Sequence, residues 1–289
     1  MCRWACDGAS LMANRAVVVT LTSIPSRFPF LSNRLERILE QSVRPDAIEV
    51  YLPRRYRRFP EVFPVQPPRL PRGVEIIWVD EDVGPATKIL PAYSRWQGKG
   101  VDLLLCDDDR AQDRDWILRL ATARTSRPND IVCERGWNVD ERFGLQRASP
   151  ASLQGRAVLD PTGGRTLAYR LKRAFSLGRS HPPRRLYRLA GFVDVFEGFL
   201  GALIPPNAFD PSVGSIPQDV WMVDDVWLSG MAALAGTRIW VHNYPRPVYS
   251  DGKVDKIDSL RAASFEGNQR SDSDRRCTVL FREQYGIWV

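Results

Sequence analysis

Short runs of apolar and β-branched residues recur through the first half of the chain, each bounded by charged or turn-forming residues. Runs of four to seven such residues are typical of β-strands inside a sheet. Five of them lie before residue 135: AVVVTLT (16–22), IEVYL (48–52), VEIIWV (74–79), VDLLLC (101–106) and DIVC (130–133).

Segments with helical spacing separate several of these strands. FLSNRLERILEQ (30–41) and DRDWILRLATAR (113–124) repeat apolar residues every three or four positions, which predicts helices with one buried face. Asp113 is placed to cap the second helix. Strands that alternate with helices predict an α/β fold with a mostly parallel sheet and flanking helices. Ligands bind such sheets beyond the carboxyl ends of the strands.

Two segments break this alternation. Residues 53–73 hold six prolines and six arginines, which predicts a loop. Residues 144–190 are rich in glycine, proline, serine and arginine, and we expect a basic excursion from the sheet there. We therefore predict a tail over residues 1–15 and one domain over residues 16–289, with its two halves at about 16–135 and 190–289.

Regular patterns of apolar residues reappear in the second half of the chain. FVDVFEGFLGALI (192–204) is followed by a predicted helix at about 225–235, for which Gly236 is a suitable C-terminal cap. TRIWVH (237–242) predicts a strand, and TVLFREQYGIWV (278–289) predicts a packing helix or strand.

The chain is basic, and its charge is unevenly distributed. The formal net charge is +7, and from Pro161 to Val193 there are eight arginines and lysines but no acidic residue. RRYRR (54–58) is a second basic run. Such surfaces attract the phosphates of nucleotides, nucleic acids or anionic lipids, although a merely solvated basic face has the same composition.

The chain carries no obvious signal for export or membrane insertion. No run approaches the roughly 20 apolar residues of a membrane-spanning helix, and residues 1–15 lack the apolar stretch of a secretory signal. The five cysteines show no zinc-like spacing, and Cys106 and Cys133 end apolar runs as reduced core thiols would. We expect a cytoplasmic protein.

Three consecutive aspartates follow the fourth predicted strand. Asp107, Asp108 and Asp109 repel one another, and burial beside an apolar strand strengthens that repulsion. A divalent cation such as Mg²⁺ or Mn²⁺ relieves it, because these ions prefer carboxylate oxygens and complete their shell with phosphates. Strand alternation would point Asp107 and Asp109 to the same side. A solvated acidic turn with Arg110 as partner is the alternative.

A second acidic segment, VDEDVGPATKIL (79–90), follows the third strand. Asp80 and Asp82 lie at its start, and Pro85 leads into a predicted helix that bears Lys88. A lysine just inside a helix near the ligand edge is well placed for a phosphate, and the helix N-terminus adds partial positive charge. Lys88 as an ordinary surface residue is the alternative.

A third acidic segment is the pair Asp224 and Asp225, which starts the predicted helix at about 225–235. Aspartates at this position often only cap the helix, but a carboxylate there can also act as a general base for an incoming hydroxyl. His242 follows the next strand and is either a satisfied polar residue near the core or a third metal ligand beside Asp107 and Asp109.

The order of these motifs resembles the GT-A glycosyltransferases of the family 2 type, which move a sugar from a nucleotide diphosphate to an acceptor. The likeness spans about residues 16–245. It rests on four segments: VVVTLTSIPSRF as the nucleotide-binding opening, LLLCDDD as the acidic DxD motif, FEGFLGALIPPNAFD as the acceptor-side segment, and DDVWLSGMAALAG as the acidic helix start. GPATK together with DDVWLSG is similar to bacterial polysaccharide or surface-glycan transferases.

The resemblance implies a Rossmann-like GT-A fold with an acceptor-side excursion, and a donor bound at the carboxyl edge of the first strands. The metal, Mn²⁺ or Mg²⁺, would bind Asp109, and Lys88 would help it to neutralise the departing diphosphate. Asp225 would be the base of an inverting transfer, with Asp224 in support. The nucleotide would contact the remaining residues: Thr22, Ser23, Pro25 and Arg27 near base or ribose, Asp82 or Asp80 at the base, and Asp107 or Asp108 near the ribose.

The acceptor implied is a glycan or a lipid-linked sugar, and the basic excursion would then hold the enzyme at the inner face of an anionic membrane or close as a lid over the donor. Two departures from the common pattern are Asp224, where glutamate is usual, and the basic segments 53–73 and 161–190.

Two other classes compete with this interpretation. A metal-dependent nucleotidyltransferase or phosphohydrolase also uses aspartates at strand ends, but a haloacid-type phosphohydrolase needs them after the first strand, which here ends in TLTSIP. A basic nucleic-acid-binding protein is the non-enzymatic alternative. The sequence lacks zinc spacing, an aromatic RNA-binding signature and a helix-turn-helix pattern, so we expect no nucleic acid as partner.

Overall fold

The structure is a computed structural model that describes residues 15–147, 154–177, 182–247, 254–258, 264–265 and 268–289. The predicted tail, apart from Arg15, lies outside these residues. The strands within the described part of the chain, numbered along the sequence, are β1 (Val17–Thr22), β2 (Ala47–Pro53), β3 (Glu75–Val79), β4 (Asp102–Leu105), β5 (Ile131–Cys133), β6 (Gly136–Trp137), β7 (Val158–Leu159), β8 (Tyr187–Leu189), β9 (Gly191–Val193), β10 (Val195–Phe196), β11 (Ala202–Ile204), β12 (Ile239–Val241), β13 (Ser264–Phe265) and β14 (Asn268–Gln269).

Eight of these strands form one mixed sheet in the order β3-β2-β1-β4-β11-β5-β12-β9. The pairs β2–β3, β1–β2, β1–β4 and β5–β12 are parallel. β11 runs antiparallel to both of its neighbours, and β9 is antiparallel to β12. Three further pairs stand apart from this sheet: β6 with β10, β7 with β8, and β13 with β14.

The described residues contain seven α-helices, and all but one of them contribute side chains to the core on the faces of the main sheet. They are α1 (Phe28–Leu39), α2 (Leu90–Trp96), α3 (Trp116–Thr125), α4 (Val139–Phe143), α5 (Leu167–Phe175), α6 (Asp224–Leu234) and α7 (Arg270–Tyr285). Short 3₁₀ helices connect them, at Pro25–Arg27, Gly84–Lys88, Gly198–Leu200, Pro211–Gly214, Gln218–Val220 and Val254–Lys256. None of the helices in the described ranges is both long and apolar enough to cross a membrane.

Residue alternation along the strands divides the core between two faces of the sheet. In β1, Val17, Val19 and Leu21 share one buried cluster with α1 and α3, while Val18 belongs to the cluster that contains α2, α6 and α7. Side chains of successive strand residues point to opposite faces, so a strand buried on both sides is apolar at most of its positions, with exceptions such as Thr20 and Glu49. The continuous apolar runs of the sequence reflect the burial of both faces of the sheet.

The predicted fold class is confirmed: the chain is α/β, with a Rossmann-like sheet and flanking helices, as the GT-A resemblance implies. All five predicted strands of the first half are present, with ends shifted by at most one residue. Gly236 follows α6 with a φ of +78°, as expected for a residue just past a helix end. Residues 278–289, predicted as helix or strand, are mostly helical within α7.

One local prediction is wrong, and two others hold only in part. Asp113 does not cap α3, since its carboxylate accepts from the Asp115 N–H at 3.1 Å and binds Arg119 at 2.6 Å instead. Lys88 ends a 3₁₀ helix and precedes α2, because the Gly-Pro start produces a tight turn there first. Asp107 and Asp109 lie in a turn beyond the end of β4, so strand alternation does not determine their directions.

The predicted excursion forms an arm, which we define as the described residues between 154 and 190. Its stem is the β7–β8 pair, its outer part carries α5, and its two ends lie side by side. The Ala157 N–H donates to the Phe192 carbonyl at 3.0 Å, and the Asp160 N–H donates to the Leu186 carbonyl at 2.9 Å. The chain therefore leaves the sheet and returns to it at the same place.

Candidate active site

A cavity of about 390 Å³ opens at the carboxyl ends of the first strands, where an α/β sheet is expected to hold its ligand. The reversed direction of β11 helps to build it. Because β11 runs against β4, the residues just before β11, including Glu197 and Phe199, reach the same edge as the aspartates just after β4. Distant parts of the sequence thus meet at one rim.

Most of the residues predicted from the sequence line this cavity. They are Thr22, Ser23, Arg27, Asp82, Lys88, Asp107, Asp108, Asp109, Asp224 and Asp225.

Asp108 ties the loop after β1 to the turn after β4. It is buried, and its carboxylate accepts a hydrogen bond from the Ser23 hydroxyl and another from Arg27 Nη1 at 2.7 Å. Burial raises the pKa of Asp108, while the Arg27 charge and the Ser23 hydrogen bond act in the opposite direction. Arg27 also lies 3.3 Å from Asp109 and donates to the Ile257 carbonyl at 3.0 Å. The arrangement fixes a basic group at this end of the cavity.

Asp82 forms the wall beside that end. Its carboxylate accepts from the backbone N–H groups of Arg57 at 2.7 Å and Gly84 at 2.8 Å, and burial raises its pKa. The Trp221 indole donates to the Asp82 carbonyl at 3.1 Å. Gly84 is required here because its φ is +65° and a Cβ would lie 2.9 Å from Trp221.

Lys88 lies at the centre of the site and is almost completely buried. Its ammonium group is 2.5 Å from Asp107 and 2.8 Å from Asp224. Burial alone would lower the pKa of Lys88, but the surrounding carboxylates of Asp107, Asp224 and Asp225 raise it well above its ordinary value. The surrounding carboxylates therefore favour the charged form of Lys88, which joins the turn after β4 to the start of α6.

The two aspartates at the start of α6 have different environments. Asp224 is buried against Lys88, whereas Asp225 is partly exposed in the cavity and accepts from the Gly198 N–H at 3.0 Å. A Cβ on Gly198 would lie 2.7 Å from the Leu105 side chain and 2.9 Å from Asp225 Oδ1. Only glycine allows the backbone to approach this carboxylate so closely.

The cavity is acidic although the chain as a whole is basic. Its wall carries nine carboxylates and only five basic side chains, the latter being Arg27, Arg58, Lys88, Arg110 and Arg142. Burial and the neighbouring carboxylates of Asp107 and Asp108 raise the pKa of Asp109 to about 6. Asp109 is thus poorly compensated, which is the condition that a bound cation relieves.

Asp107 and Asp109 are suitable ligands for a divalent cation. Both line the cavity, and both present the oxygen ligands that Mg²⁺ and Mn²⁺ prefer. Among the residues that the structure describes, no group of three or more histidine, cysteine or acidic side chains is arranged to enclose a metal ion. Asp107 and Asp109 could thus contribute two carboxylate ligands at most, with the rest of the coordination coming from a bound ligand.

Another part of the cavity wall combines aromatic rings with charged groups. The Arg142 guanidinium lies 4.5 Å from the centre of the Trp137 ring and 3.5 Å from Asp274, and Arg110 lies 5.1 Å from the centre of the Phe199 ring. Glu197 pairs with Arg135 at 2.6 Å. These residues belong to β6, α4, α7, the turn after β4 and the segment before β11.

Comparison with known proteins gives only distant likenesses. No protein-family model matches the chain, and no curated protein matches it significantly. A solved structure of GalNAc-T7 with UDP, GalNAc and Mn²⁺ is similar at a TM-score of 0.49 and 10% identity, over 95% of this chain and 49% of that one. S. aureus TarS, residues 1–349, is similar at a TM-score of 0.41 and 12% identity, over 94% of this chain and 72% of that one.

This chain therefore spans about half the length of the GalNAc-T7 chain. Both TM-scores lie below 0.5, so the functional conclusion depends on the residues of the cavity itself.

Two of the predicted nucleotide contacts are placed outside the cavity wall. Pro25 starts the 3₁₀ helix after β1 but does not line the cavity, although Arg27 in the same turn does. Asp80 is 96% exposed and pairs with Arg54 at 3.2 Å. Of the two alternatives at the end of β3, only Asp82 reaches the site, because the chain turns inward between the two residues.

His242 does not reach the acidic turn, and the structure gives no support to it as a metal ligand. It is buried beside Glu134, with 3.8 Å between Nε2 and Oε1, and its Nδ1 accepts from the Tyr244 N–H at 3.2 Å. Burial and the charges of Arg119 and Arg246 lower its pKa to about 3. It follows β12, and β5 and β11 separate β12 from β4 in the sheet.

Several lining residues carry no signal in the sequence that marks them as functional. Tyr56 and Arg58 lie in the proline-rich loop, and Trp137, Arg142 and Asp274 lie in segments without a motif. For Tyr56 and Arg58 the sequence offers only the basic run RRYRR, which is typical of phosphate-binding surfaces in general. The others approach the site only through the fold.

Proposed function

We propose that this chain is a GT-A-type glycosyltransferase that moves a sugar from a nucleotide diphosphate to an acceptor hydroxyl. One observation carries the proposal: a single cavity brings the carboxylate of Asp225 together with the acidic turn of Asp107–Asp109, and Lys88 pairs with Asp107 of that turn and with Asp224, the neighbour of Asp225. A base on one side and a charge-compensated diphosphate site on the other are the parts that such a transfer needs.

The nucleotide would bind at the end of the cavity formed by Ser23, Arg27 and Asp82. Arg27 is held by Asp108 and supplies a fixed positive group, while the carboxylate of Asp82 is a suitable acceptor for a base N–H. Thr22 is already engaged, since its hydroxyl donates to the Tyr51 carbonyl at 2.7 Å. Its contribution would be to hold the loop.

The departing diphosphate needs positive charge in a wall that is rich in carboxylates. Lys88 offsets Asp107 and Asp224, and Arg27 offsets Asp108, which leaves Asp109 with the weaker contacts. A divalent ion held by Asp107 and Asp109 would supply Lewis-acid stabilisation of the diphosphate oxygens. Lys88 and Arg27 would orient the phosphates and reduce the repulsion between the neighbouring carboxylates.

Asp225 would take the proton of the acceptor hydroxyl. In that step a bond forms between the acceptor oxygen and the anomeric carbon, the bond from that carbon to the diphosphate oxygen breaks, and the diphosphate leaves with the electron pair. The Gly198 N–H orients the carboxylate, and Asp224 acts through Lys88 rather than on the substrate. A single base opposite the leaving group predicts inversion at the anomeric carbon.

The acceptor would occupy the end lined by Trp137, Glu197 and Phe199. Aromatic faces next to charged groups suit a sugar, which has apolar ring faces and a polar rim. We assign a glycan or lipid-linked sugar as acceptor, in a hexosyl transfer of the kind used to build bacterial surface polysaccharides.

The buried free thiols of Cys106, Cys133 and Cys277 suit a cytoplasmic location.

A nucleic-acid-binding role is less well supported. The acidic cavity wall would repel a phosphodiester chain, and a nucleotidyltransferase has no evident use for the carboxylate of Asp225 at its present position.

The test is a screen of nucleotide sugars for hydrolysis and transfer, with Mn²⁺, Mg²⁺ or chelator. We expect metal-dependent turnover of one nucleotide class and inversion of the product anomer by NMR. Absence of both binding and turnover across the uridine and guanosine donors would contradict the proposal.

A matched pair of variants tests the base. Asp225→Asn should lower turnover by about 100-fold or more without weakening nucleotide binding. Asp219→Asn, the same change at an exposed residue six positions earlier, should leave both unchanged. Wild-type turnover in Asp225→Asn would remove Asp225 from the mechanism while leaving the donor site intact.

A further inference from the structure

The outer helix of the arm presents its apolar side to solvent. Leu167 and Phe175 are 73% and 87% exposed, and Leu171 between them is also exposed. These residues are spaced four apart and share one face of α5. Tyr169, Arg173 and Ser176 are the less exposed residues, and they point toward the rest of the arm. The helix is thus oriented opposite to an ordinary surface helix, whose apolar face packs inward.

Exposed apolar residues are concentrated on this arm. Of the twelve large apolar side chains that are exposed in the described residues, seven belong to it: Val158, Leu159, Leu167, Leu171, Phe175, Leu177 and Leu189. A cluster of this kind marks an interaction surface, whereas apolar residues scattered singly do not.

Basic residues border the apolar face on both sides. With about 100° between successive helix residues, Leu167, Leu171, Phe175 and two alanines fill an arc of roughly 120°. Arg170 lies at one margin of this arc and Lys172 at the other, and both are exposed. The stem and its approaches add Arg165, Arg185 and Arg188, and no acid occurs between residues 161 and 193.

We propose that the arm docks on the surface of an anionic lipid bilayer, with α5 lying in the plane of the interface. Apolar side chains would enter the acyl boundary while the flanking basic groups remain at the level of the headgroups. The charge pattern selects this partner: α5 carries cations at both margins of its apolar face and contains no acid, so it complements anionic lipid and would repel a second copy of itself. This inference does not depend on the proposed reaction.

Vesicle flotation of the full chain tests the proposal. We expect binding to vesicles of equal parts phosphatidylglycerol and phosphatidylcholine, and little binding to phosphatidylcholine alone. Leu171→Glu/Phe175→Glu should weaken binding by about tenfold or more, as should Arg170→Glu/Lys172→Glu. The control Arg69→Glu/Arg72→Glu changes the net charge as much as Arg170→Glu/Lys172→Glu does, but on the exposed proline-rich loop. It should bind like wild type.

Three results would overturn the inference. They are no binding to anionic vesicles, equal loss of binding in the Arg69→Glu/Arg72→Glu control, and a concentration-dependent dimer in sedimentation that Leu171→Glu/Phe175→Glu dissolves. Circular dichroism and urea unfolding of each variant show whether the sheet is intact, so loss of vesicle binding with an unchanged spectrum and urea midpoint is assigned to the arm.

Discussion

At the scale of single residues, the site is organised by one buried cation among carboxylates. The sequence indicated Asp109 and Asp225 because each stands directly after a strand or at a helix start, where a motif has a defined position. It could not indicate Asp274 or Arg142, since nothing in their local sequence distinguishes them from surface charges. The proximity of Lys88 to Asp224, 136 positions later, is likewise a property of the fold.

Replacement of Lys88 tests its central position. Lys88→Met should destabilise the chain by about 3–5 kcal/mol in urea unfolding, because it leaves Asp224 buried without its counter-charge. Lys99→Met, at an exposed lysine, should change stability by less than about 1 kcal/mol. Adding Asp224→Asn to Lys88→Met should restore part of the stability but no turnover. Equal stability of the two single variants would contradict this account.

His242 should make the fold sensitive to acid. Its pKa is lowered to about 3 in a pocket that also contains Glu134, Arg119 and Arg246, whereas an unfolded histidine has a pKa near 6.5. Between these values the unfolded chain binds a proton that the folded chain does not, so stability is lost as the pH falls. The loss should approach about 1.4 kcal/mol per pH unit below about 6.5.

His242→Gln measures this contribution. Urea midpoints at pH 7, 6 and 5 should fall less steeply in the variant than in the wild type, because glutamine does not titrate. Parallel curves for the two proteins would mean that other groups account for the acid sensitivity.

At the scale of elements, the sequence predicted strands and helices well where a pattern was long and regular. The apolar runs predicted β1, β2, β4 and β5 because both faces of those strands are covered, and they predicted the partly exposed edge strand β3 as well. The pattern could not show that β11 runs antiparallel, since a short apolar run has no direction. It also could not show which side of α5 faces the protein, because amphipathic spacing is the same for either orientation.

The turn before β11 offers a test at this scale. Gly198→Ala would place a Cβ against Leu105 and Asp225, so the turn must shift and carry the carboxylate with it. We expect a loss of about 100-fold in turnover and about 1–3 kcal/mol in stability. Gly214→Ala, where the Cβ meets open space, is the matched control. Full activity in Gly198→Ala would show that Asp225 tolerates displacement.

At the scale of the whole molecule, the arm is joined to the rest of the chain by its two adjacent ends and by backbone hydrogen bonds between Arg184 and Arg246. Asp160 and Leu186 are hydrogen-bonded neighbours, so residues 161–185 can be replaced by an Asn-Gly turn. We expect this variant to remain folded, to retain nucleotide binding, and to lose binding to anionic vesicles. Tyr187 stays in place to hold the stem, since its hydroxyl donates to the Gly136 carbonyl at 2.8 Å.

Circular dichroism and nucleotide titration check that variant. A chain that fails to fold would show that the arm supports the sheet, and retained vesicle binding would move the lipid contact elsewhere on the surface.

The position of β11 also has a consequence for how the chain acquires its structure during synthesis. β1 to β4 pair with one another and can assemble as soon as they emerge from the ribosome. β4 then keeps an open edge until β11, about a hundred residues later, arrives to fill it, and β5 has no neighbour on that side before then. The nascent chain must therefore protect an exposed strand edge while the arm is being made. The residues before β11 join the cavity wall only when β11 is inserted. Dependence on chaperones should therefore be greatest between the synthesis of β4 and the insertion of β11.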